Sequence, residues 1–159
     1  MKTAGKSEAI IVTGAGQGLG LSVAQSQVAS GNRVVAVLRK DEQAAALQAE
    51  LGDNAVVLVA DVAKPDAPGL AVEAARSRWG HVDGLVNNAG IIGPMAPLAE
   101  TEDRLWDQTV SVDLIAPARF MRAFIQAQDG SRTARIVNIT SGAAHRALRG
   151  WSAYCTSKA

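Results

Sequence analysis

The stretch TGAGQGLG at residues 13–20 constrains the fold of this 159-residue chain more than any other feature. It joins the short apolar run 9–13 to the amphipathic run 18–30, so it predicts a turn between a buried strand and a helix. Glycines allow positive φ and the close approach of another group. A helix N-terminus after such a turn offers N–H groups and a positive dipole end to a phosphate. The stretch therefore predicts a dinucleotide-binding turn, with a plain strand-to-helix connection as the alternative.

Short apolar runs alternate with longer amphipathic stretches along the rest of the chain. Strands are predicted at residues 9–13, 33–38, 55–60, 83–89 and 134–140, and helices at 18–30, 41–51, 66–79 and 101–128, with another helix beginning near the end. Asp41 is expected to cap the second helix, and Pro117 to break or kink the last long one. Apolar runs without alternation predict strands buried on both faces. We therefore expect one doubly wound, Rossmann-like α/β domain with a parallel sheet and three layers over residues 1–159.

Composition and charge exclude several functional classes. The net charge is +1, with no block of like charges, so neither nucleic acid nor a membrane surface is expected as a partner. The single cysteine allows no intrachain disulfide, and no metal cluster is expected. The N-terminal apolar run is too short for a signal peptide, and no run reaches the roughly 18 residues of a membrane span. The chain is therefore expected to be cytoplasmic.

The end of the second predicted strand bears on cofactor choice. Leu38 is followed by Arg39 and Lys40. Dinucleotide folds that bind NAD usually have an acidic residue here, which binds the ribose 2′-hydroxyl. Two cations suit a 2′-phosphate instead, so the sequence favours NADP(H) over NAD(H). The alternative is a solvated basic turn.

Several motifs, in order along almost the whole chain, give it a family resemblance. They are Thr13, Gly14, Gly18 and Gly20 of TGxxxGxG, Asp61 and Val62 after the third strand, NNAG at residues 87–90, Ser141 at the end of IVNITS, and Tyr154 and Lys158 of YxxxK. The chain thereby resembles the short-chain dehydrogenase/reductases. The cofactor-binding residues that this resemblance implies are Gly14, Gly18, Leu19, Gly20, Arg39, Lys40, Asp61, Val62, Asn88, Ala89, Gly90, Tyr154 and Lys158.

The resemblance also implies the reaction, a hydride transfer between NADP(H) and a ketone, aldehyde or alcohol. Tyr154 would donate or accept the proton, Lys158 would favour the ionised tyrosine and bind the nicotinamide ribose, and Ser141 would orient the substrate oxygen. A tyrosine hydroxyl ordinarily has a pKa near 10, and one cation at about 4 Å supplies about the 4 kcal/mol that a three-unit shift requires. Tyr154 and Lys158, at i and i+4, share one helix face. Alternatively they are two ordinary surface residues.

Two further features refine the resemblance. Asp113 stands where the family usually has asparagine, the fourth member of its catalytic set. An amide donates and accepts hydrogen bonds, whereas an ionised carboxylate only accepts. The stretch 141–159 is similar to the sepiapterin-reductase-like and benzil-reductase-like carbonyl reductases, which implies NADPH.

Family members usually continue well beyond the tyrosine–lysine pair. The sequence is therefore expected to be the N-terminal part of a Rossmann domain, C-terminally incomplete, with one face and edge of the sheet uncovered. The full-length parent is expected to form a homodimer or homotetramer. The alternative to an active reductase is an inactive truncated fragment or a non-catalytic nucleotide-binding module.

Overall fold

The computed structural model describes residues 7–159, and the predictions that concern residues 1–6 lie outside this range. The strands are β1 (Ala9–Thr13), β2 (Arg33–Leu38), β3 (Ala55–Val59), β4 (Gly84–Asn87) and β5 (Arg135–Asn138). The helices are α1 (Gly18–Ala29), α2 (Ala44–Leu51), α3 (Ala67–Trp79), α4 (Asp103–Val110), α5 (Ala116–Gln126) and α6 (Ser152–Lys158). The predicted strands are confirmed, and each lies within one or two residues of its predicted ends.

The five strands form one parallel sheet in the order β3-β2-β1-β4-β5. Alternate residues of β1 enter two separate hydrophobic cores. Ile10 and Val12 pack with residues of α1 and α2 on one face, and Ile11 packs with residues of α3 and α5 on the other. Helices therefore cover both faces of the sheet, which confirms the doubly wound, three-layer architecture.

Strand β1 is the point at which the strand order reverses. Its neighbours are β2 on one side and β4 on the other, and the crossovers leave in opposite directions. In open parallel sheets a crevice forms at this point, beyond the carboxyl ends of the strands, and ligands bind there. The topology thus fixes where a site can form before any side chain is considered.

The predicted interruption at Pro117 takes a different form from a break. The chain stays helical from α4 to α5 through a π-helical turn at Ser111–Ile115. Pro117 lies in the first turn of α5, where a helix tolerates the missing N–H. A break is therefore wrong, because the wider turn absorbs the change in hydrogen-bond register.

The predicted cap of the second helix is also wrong. Asp41 begins a 3-10 turn, Asp41–Gln43, and α2 starts only at Ala44, without a side-chain cap. Such turns often precede helices because they satisfy N–H groups locally. Gly52 ends α2 at φ +68°, as the sequence predicts.

Strand β5 forms one edge of the sheet and is poorly covered. Arg135, Val137 and Asn138 are exposed, and Val137 has 49% of its surface accessible. An apolar side chain on an edge strand is unusual in a sheet that is covered on both faces. The expectation of an uncovered face and edge is therefore met at β5.

No helix within residues 7–159 is both long enough and apolar enough to span a membrane.

The turn after β1 lies against the end of β4. Asn88 donates from Nδ2 to the Thr13 carbonyl (2.9 Å), and its backbone N–H donates to Thr13 Oγ1 (3.0 Å). A Cβ on Gly14 would lie 2.9 Å from Ala89 Cα, and one on Gly20 would overlap the Gly14 carbonyl oxygen and Asn88 Nδ2. Glycine is required at both positions because backbone atoms occupy the space of a side chain.

Asp83 holds the opposite, amino end of the sheet together. Its Oδ2 accepts hydrogen bonds from the Ala9 N–H (2.8 Å) and Arg132 Nη2 (3.0 Å), and Arg132 Nε donates to Oδ1. His81 Nδ1 lies 2.8 Å from Oδ2 and donates when it carries a proton. Arg132 also binds the Ser7 carbonyl (3.2 Å). One carboxylate therefore connects β1, β4 and the segment that leads into β5.

The groups that contact Asp83 affect its pKa more than its burial does. Burial by itself raises the pKa of Asp83, but the hydrogen bonds from Arg132 and Ala9 and the charges of His81 and Arg132 hold this pKa below its usual 3.8. Asp83 therefore contributes stability above the pKa that it has in the unfolded chain. That contribution disappears as pH falls through the lower pKa of the folded protein.

Replacing Asp83 with asparagine tests this connection. We expect Asp83→Asn to lower the free energy of unfolding at pH 7 by about 2 kcal/mol, because charged hydrogen bonds are lost. In urea titrations below pH 3.8, the difference in the free energy of unfolding between the variant and the wild type should become smaller. Asp53→Asn, at an exposed carboxylate, is the matched control and should change stability little. The same loss in the free energy of unfolding at pH 7 and below pH 3.8 would contradict this account.

The packing of the glycine turn gives a second prediction. Gly20→Ala should destabilise the protein by about 1–3 kcal/mol, because the new methyl group meets backbone that cannot yield. Gly69→Ala in α3 is the control, since no atom lies within 4 Å of its Cβ position. It should leave stability unchanged or raise it by up to about 1 kcal/mol. Thermal unfolding of both variants checks the contrast, and equal effects would refute it.

Candidate active site

A cleft of about 560 Å³ opens beyond the carboxyl ends of β1, β2, β3 and β4. Ten of the predicted cofactor-binding residues line it, namely Gly14, Gly18, Leu19, Arg39, Lys40, Asp61, Val62, Asn88, Ala89 and Gly90. Gly20 is buried behind the cleft, where it packs on the Gly14 carbonyl. Residues from separate parts of the sequence thus meet at the strand-order reversal.

The N-terminus of α1 opens into this cleft. Gln17 precedes the helix in an extended conformation, no side chain caps the helix, and its first turn has no acidic residue. Gly14 and Gly18 have φ of +67° and +57°, so the turn uses conformations that side chains disfavour. The 12-residue helix thus presents its N–H groups and positive dipole end without a competing carboxylate.

The opposite part of the cleft combines a basic and an acidic edge. Arg39 and Lys40 are exposed at the end of β2, with Gln43 beside them. Asp61 accepts a hydrogen bond from the Ala63 N–H (3.0 Å), which fixes its carboxylate in a turn after β3. The two exposed cations are thus available to a ligand, whereas one oxygen of Asp61 already accepts a hydrogen bond.

A second group of predicted residues clusters where the π-helical turn meets α6. Lys158 Nζ lies 3.5 Å from Asp113 Oδ2 and donates to the Ile139 carbonyl at 3.5 Å. The same ammonium lies 5.6 Å from the centre of the Tyr154 ring. Trp151 packs edge-on against that ring, at 5.8 Å between centroids. Tyr154, Lys158 and Asp113 are therefore brought together.

Asp113 is a buried carboxylate with few partners. Its Oδ1 accepts a hydrogen bond from the Ile91 N–H (2.8 Å), but Oδ2 accepts none from residues 7–159 and has only the more distant ammonium. Burial raises the pKa of Asp113, and the Ile91 N–H and Lys158 offset this only in part. The π-helical turn thus places a poorly compensated charge beside Lys158.

Gly90 connects this cluster to the cleft. It lines the cleft, and a Cβ on it would lie 3.4 Å from Lys158 Nζ and 3.5 Å from Asp113 Oδ1. Ile91 also lines the cleft while its N–H binds Asp113. The cluster of Asp113, Tyr154 and Lys158 therefore adjoins the end of the cleft formed by NNAG.

Ser141 follows β5, and its side chain makes a local contact. Its Oγ accepts a hydrogen bond from the Ala143 N–H (3.2 Å) and caps the 3-10 turn Gly142–Ala144. That turn packs against α6. Ser141 is thus adjacent to the helix that carries Tyr154, and its hydroxyl hydrogen is free to point elsewhere because Oγ acts as an acceptor.

The residues present fit a dinucleotide. The cleft volume lies within the roughly 300–1,000 Å³ of small-molecule sites. An uncapped helix N-terminus suits the pyrophosphate, and an added side chain at Gly14 would meet the neighbouring backbone. Within residues 7–159, no group of three or more histidine, cysteine, aspartate or glutamate residues could hold a metal ion.

Sequence reasoning missed several cleft residues. Gln43 lines the cleft, and its Oε1 would lie 2.8 Å from a Cβ on Gly16. Nothing in the sequence distinguishes Gln43 from other polar residues at a helix start. Ile91 lines the cleft as well, and its place directly after NNAG is the signal that could have indicated it.

Comparison with known proteins assigns the chain to a family. A family profile described as short chain dehydrogenase matches residues 8–159. A probable NADP-dependent dehydrogenase from Dichelobacter nodosus is 38% identical over 104 residues, which cover 65% of this chain and 98% of that protein. D-threitol dehydrogenase from Mycolicibacterium smegmatis is 34% identical over 151 residues, 93% of this chain and 58% of that protein.

Solved structures agree with this assignment. A metagenomic short-chain oxidoreductase, crystallised in complex with NADP, has a TM-score of 0.86 and 32% identity over 95% of this chain and 70% of that one. A short-chain dehydrogenase from Streptomyces avermitilis has a TM-score of 0.88 and 29% identity over 98% of this chain and 57% of that one. The chain thus spans little more than half the length of several relatives. With the profile match and the shared fold, this chain belongs to the short chain dehydrogenase family.

Proposed function

We propose that this chain carries the NADP(H)-binding and proton-transfer residues of an oxidoreductase that acts on a carbonyl or alcohol. The observation that carries the proposal is the junction at Gly90, where the cleft meets the cluster of Asp113, Tyr154 and Lys158. A bound nicotinamide would supply or accept the hydride. The residues around it would bind the cofactor, orient the substrate and transfer the proton.

The dinucleotide would lie along the carboxyl edge of the sheet. The N–H groups at the start of α1 suit the pyrophosphate, and Asp61 and Val62 suit the adenine end. Asn88, Ala89 and Gly90 would contact the part of the cofactor between the turn and Lys158. Lys158 would bind the nicotinamide ribose from the side of α6.

Tyr154 would be the proton donor in reduction and the acceptor in oxidation. The Lys158 ammonium lies 5.6 Å from the centre of its ring, so a positive charge stands beside the proposed proton donor. Ser141 would turn its hydroxyl hydrogen towards the substrate oxygen while Oγ keeps its hydrogen bond from Ala143. This division of roles needs no metal ion.

Arg39 and Lys40 support NADP(H) over NAD(H). Both are exposed on the cleft wall after β2, where the 2′-phosphate of NADP would lie. The Dichelobacter nodosus relative is a probable NADP-dependent dehydrogenase and the metagenomic oxidoreductase was crystallised with NADP, which agrees with this choice. The narrower resemblance to sepiapterin and benzil reductases stays a prediction, as do a cytoplasmic location and a dimeric or tetrameric parent.

A non-catalytic nucleotide-binding module is the second candidate, and one observation favours it. Lys158 is paired with Asp113, so part of its charge is already balanced before any ligand binds. The cleft itself does not depend on that pair, because it is lined by the glycine turn and the ends of β2, β3 and β4. Binding without turnover would identify this candidate.

The cofactor preference can be tested at Arg39. Arg39→Ala should weaken NADPH binding by about 10- to 100-fold, because a charge-assisted hydrogen bond to the 2′-phosphate is worth roughly 1.5–3 kcal/mol. NADH binding should change little, since NADH lacks that phosphate. Calorimetric titration with each cofactor measures the change in affinity for NADPH and for NADH separately. Arg78→Gln, at an exposed arginine in α3, is the matched control. Equal weakening of both cofactors would count against the proposal.

The reaction can be tested at Tyr154. With a panel of diketones and aldehydes, Tyr154→Phe should lower the rate of NADPH oxidation by about 10²- to 10⁴-fold, because the positioned acid is lost. NADPH affinity should stay within a few-fold, which separates chemistry from binding. Thr156→Ala, at an exposed residue of the same helix, is the control and should retain the wild-type rate. If the wild-type chain binds NADPH but does not oxidise it with any substrate of the panel, the result would favour the binding module.

A further inference from the structure

The side chain of Gln43 extends from the 3-10 turn after β2 to the glycine turn. Asp41–Gln43 form the 3-10 turn, and Gln43 is the member of it that lines the cleft. A Cβ placed on Gly16 would lie 2.8 Å from Gln43 Oε1, so the end of this side chain lies against the glycine turn. The same Cβ would lie 3.4 Å from Leu38 Cβ, at the end of β2. Gln43 therefore lies between the glycine turn and the part of the cleft wall that carries Arg39.

The amide of Gln43 is not used to begin the helix that follows. Gln43 immediately precedes α2, yet no side chain caps that helix. The other two residues of the turn, Asp41 and Glu42, are exposed. The turn thus presents a neutral amide to the cleft, and not a carboxylate. Because this amide does not cap α2, it is available to a ligand.

The position of Gln43 corresponds to one part of a dinucleotide. In NADP, the ribose of the adenosine half joins the pyrophosphate to the 2′-phosphate. The N–H groups at the start of α1 suit the pyrophosphate, and Arg39 and Lys40 suit the 2′-phosphate. A side chain between these two parts of the cleft therefore lies next to the ribose.

We propose that Gln43 is a second determinant of cofactor choice, whose amide contacts the 2′ position of the adenosine ribose and lets the cleft accept NAD(H) as well as NADP(H). An amide carries both donors and an acceptor. Its N–H groups donate to the oxygens of a 2′-phosphate, and its carbonyl oxygen accepts from a 2′-hydroxyl. Arg39 and Lys40 favour the phosphate, whereas Gln43 binds either group. This inference rests on the proposed function, because the cleft must bind a dinucleotide.

The test uses two nucleotides that lack the nicotinamide, ADP-ribose and ADP-ribose 2′-phosphate, so the proton-transfer residues do not enter the measurement. Calorimetric titration of the purified chain gives a dissociation constant for each. In Gln43→Glu, affinity for the 2′-phosphorylated nucleotide should fall by about 10- to 100-fold, because a carboxylate repels the phosphate. Affinity for ADP-ribose should stay within about threefold, because a carboxylate still accepts from the 2′-hydroxyl. Equal losses for both nucleotides, or no loss for either, would overturn the proposal.

Two further substitutions change the same side chain in other ways. Gln43→Lys should tighten binding of the 2′-phosphorylated nucleotide by about 3- to 10-fold and leave ADP-ribose within about threefold. Gln43→Leu removes the donors and the acceptor, so it should weaken both nucleotides by about 3- to 10-fold. Unchanged affinities in Gln43→Leu would mean that the amide does not contact the ribose, which refutes the proposal. Circular dichroism checks that each variant is folded, and these two variants decide the matter if Gln43→Glu is not.

Ala45→Glu is the matched control for the added charge. Ala45 is exposed in α2, two residues beyond Gln43, and helical residues at i and i+2 do not face each other. The variant places the same charge near the cleft but not in it, so both affinities should stay within about threefold of the wild type. If Ala45→Glu weakened the 2′-phosphorylated nucleotide as much as Gln43→Glu does, the charge of the region would explain the result without a contact, and the proposal would be wrong.

A second measurement observes the wild-type side chain directly. The side-chain NH₂ group of Gln43 can be followed by NMR after nitrogen-15 labelling, and assigned from the signal missing in Gln43→Leu. Saturation with ADP-ribose 2′-phosphate should shift this signal. The NH₂ signal of Gln108, which is exposed in α4, should not move. A Gln43 signal that stays in place at saturation would overturn the proposal whatever the variants do.

The outcomes separate this inference from the proposed function. If the wild-type chain binds neither nucleotide, the cleft is not a dinucleotide site and both are wrong. If it binds them and the Gln43 variants bind them equally well, only the inference is wrong. If the variants behave as expected but the chain reduces no carbonyl compound, the inference holds and the proposed proton transfer is wrong.

Discussion

The close contact between the glycine turn and the end of β4 is the constraint on which the rest of the molecule depends. Thr13 and Asn88 bind each other through two hydrogen bonds, at 2.9 and 3.0 Å. They bring two strands that are far apart in sequence to a common end. Because Gly14 and Gly20 have no side chains, the turn can pass directly over this junction. The cleft, the exposed start of α1 and the position of NNAG all follow from that contact.

The π-helical turn is the second device that shapes the site. It carries the chain from α4 to α5 and buries Val112 and Asp113 while Leu114 and Ile115 remain 48% and 38% exposed. A regular helix would distribute these four positions differently around its axis, because it advances 3.6 residues per turn. Single π turns often occur at functional sites. Here the turn directs an acidic side chain to Lys158.

Strand positions were predictable because each strand of this sheet is a short apolar run with little alternation, between residues that start or end helices. The glycine turn and the cluster of Tyr154 and Lys158 were predictable because their spacing is local. The π-helical turn was not, because Pro117 indicates a disturbance but not how the neighbouring turn absorbs it. Nor was the late start of α2, since Asp41 is equally at home in a 3-10 turn.

Side-chain contacts that depend on how separate elements pack were the least predictable part of the site. Asp113 and Lys158 are separated by 45 residues in sequence, and their pairing depends on how α6 packs on the π-helical turn. The Gln43 side chain reaches the cleft only because the 3-10 turn orients it there. Spacing along the chain carries no information about either contact, so only the packed fold could supply them.

Two buried carboxylates, Asp83 before β4 and Asp113 in the π-helical turn, differ in how completely they are paired. Asp83 and Asp113 are buried to almost the same degree, with 2% and 5% of their surface exposed. The pKa of Asp83 is nevertheless lowered and that of Asp113 raised. Burial acts in the same direction on both, so the difference lies in the partners: Arg132, His81 and a backbone N–H at Asp83, against one N–H and a distant ammonium at Asp113. The pKa of a carboxylate whose oxygens all accept hydrogen bonds changes little with its surroundings. The pKa of a carboxylate with an unoccupied oxygen is more sensitive to each nearby charge. The amino ends of the strands are thus fixed by complete pairing, whereas the carboxyl ends adjoin an incompletely paired carboxylate beside the residues proposed to transfer a proton.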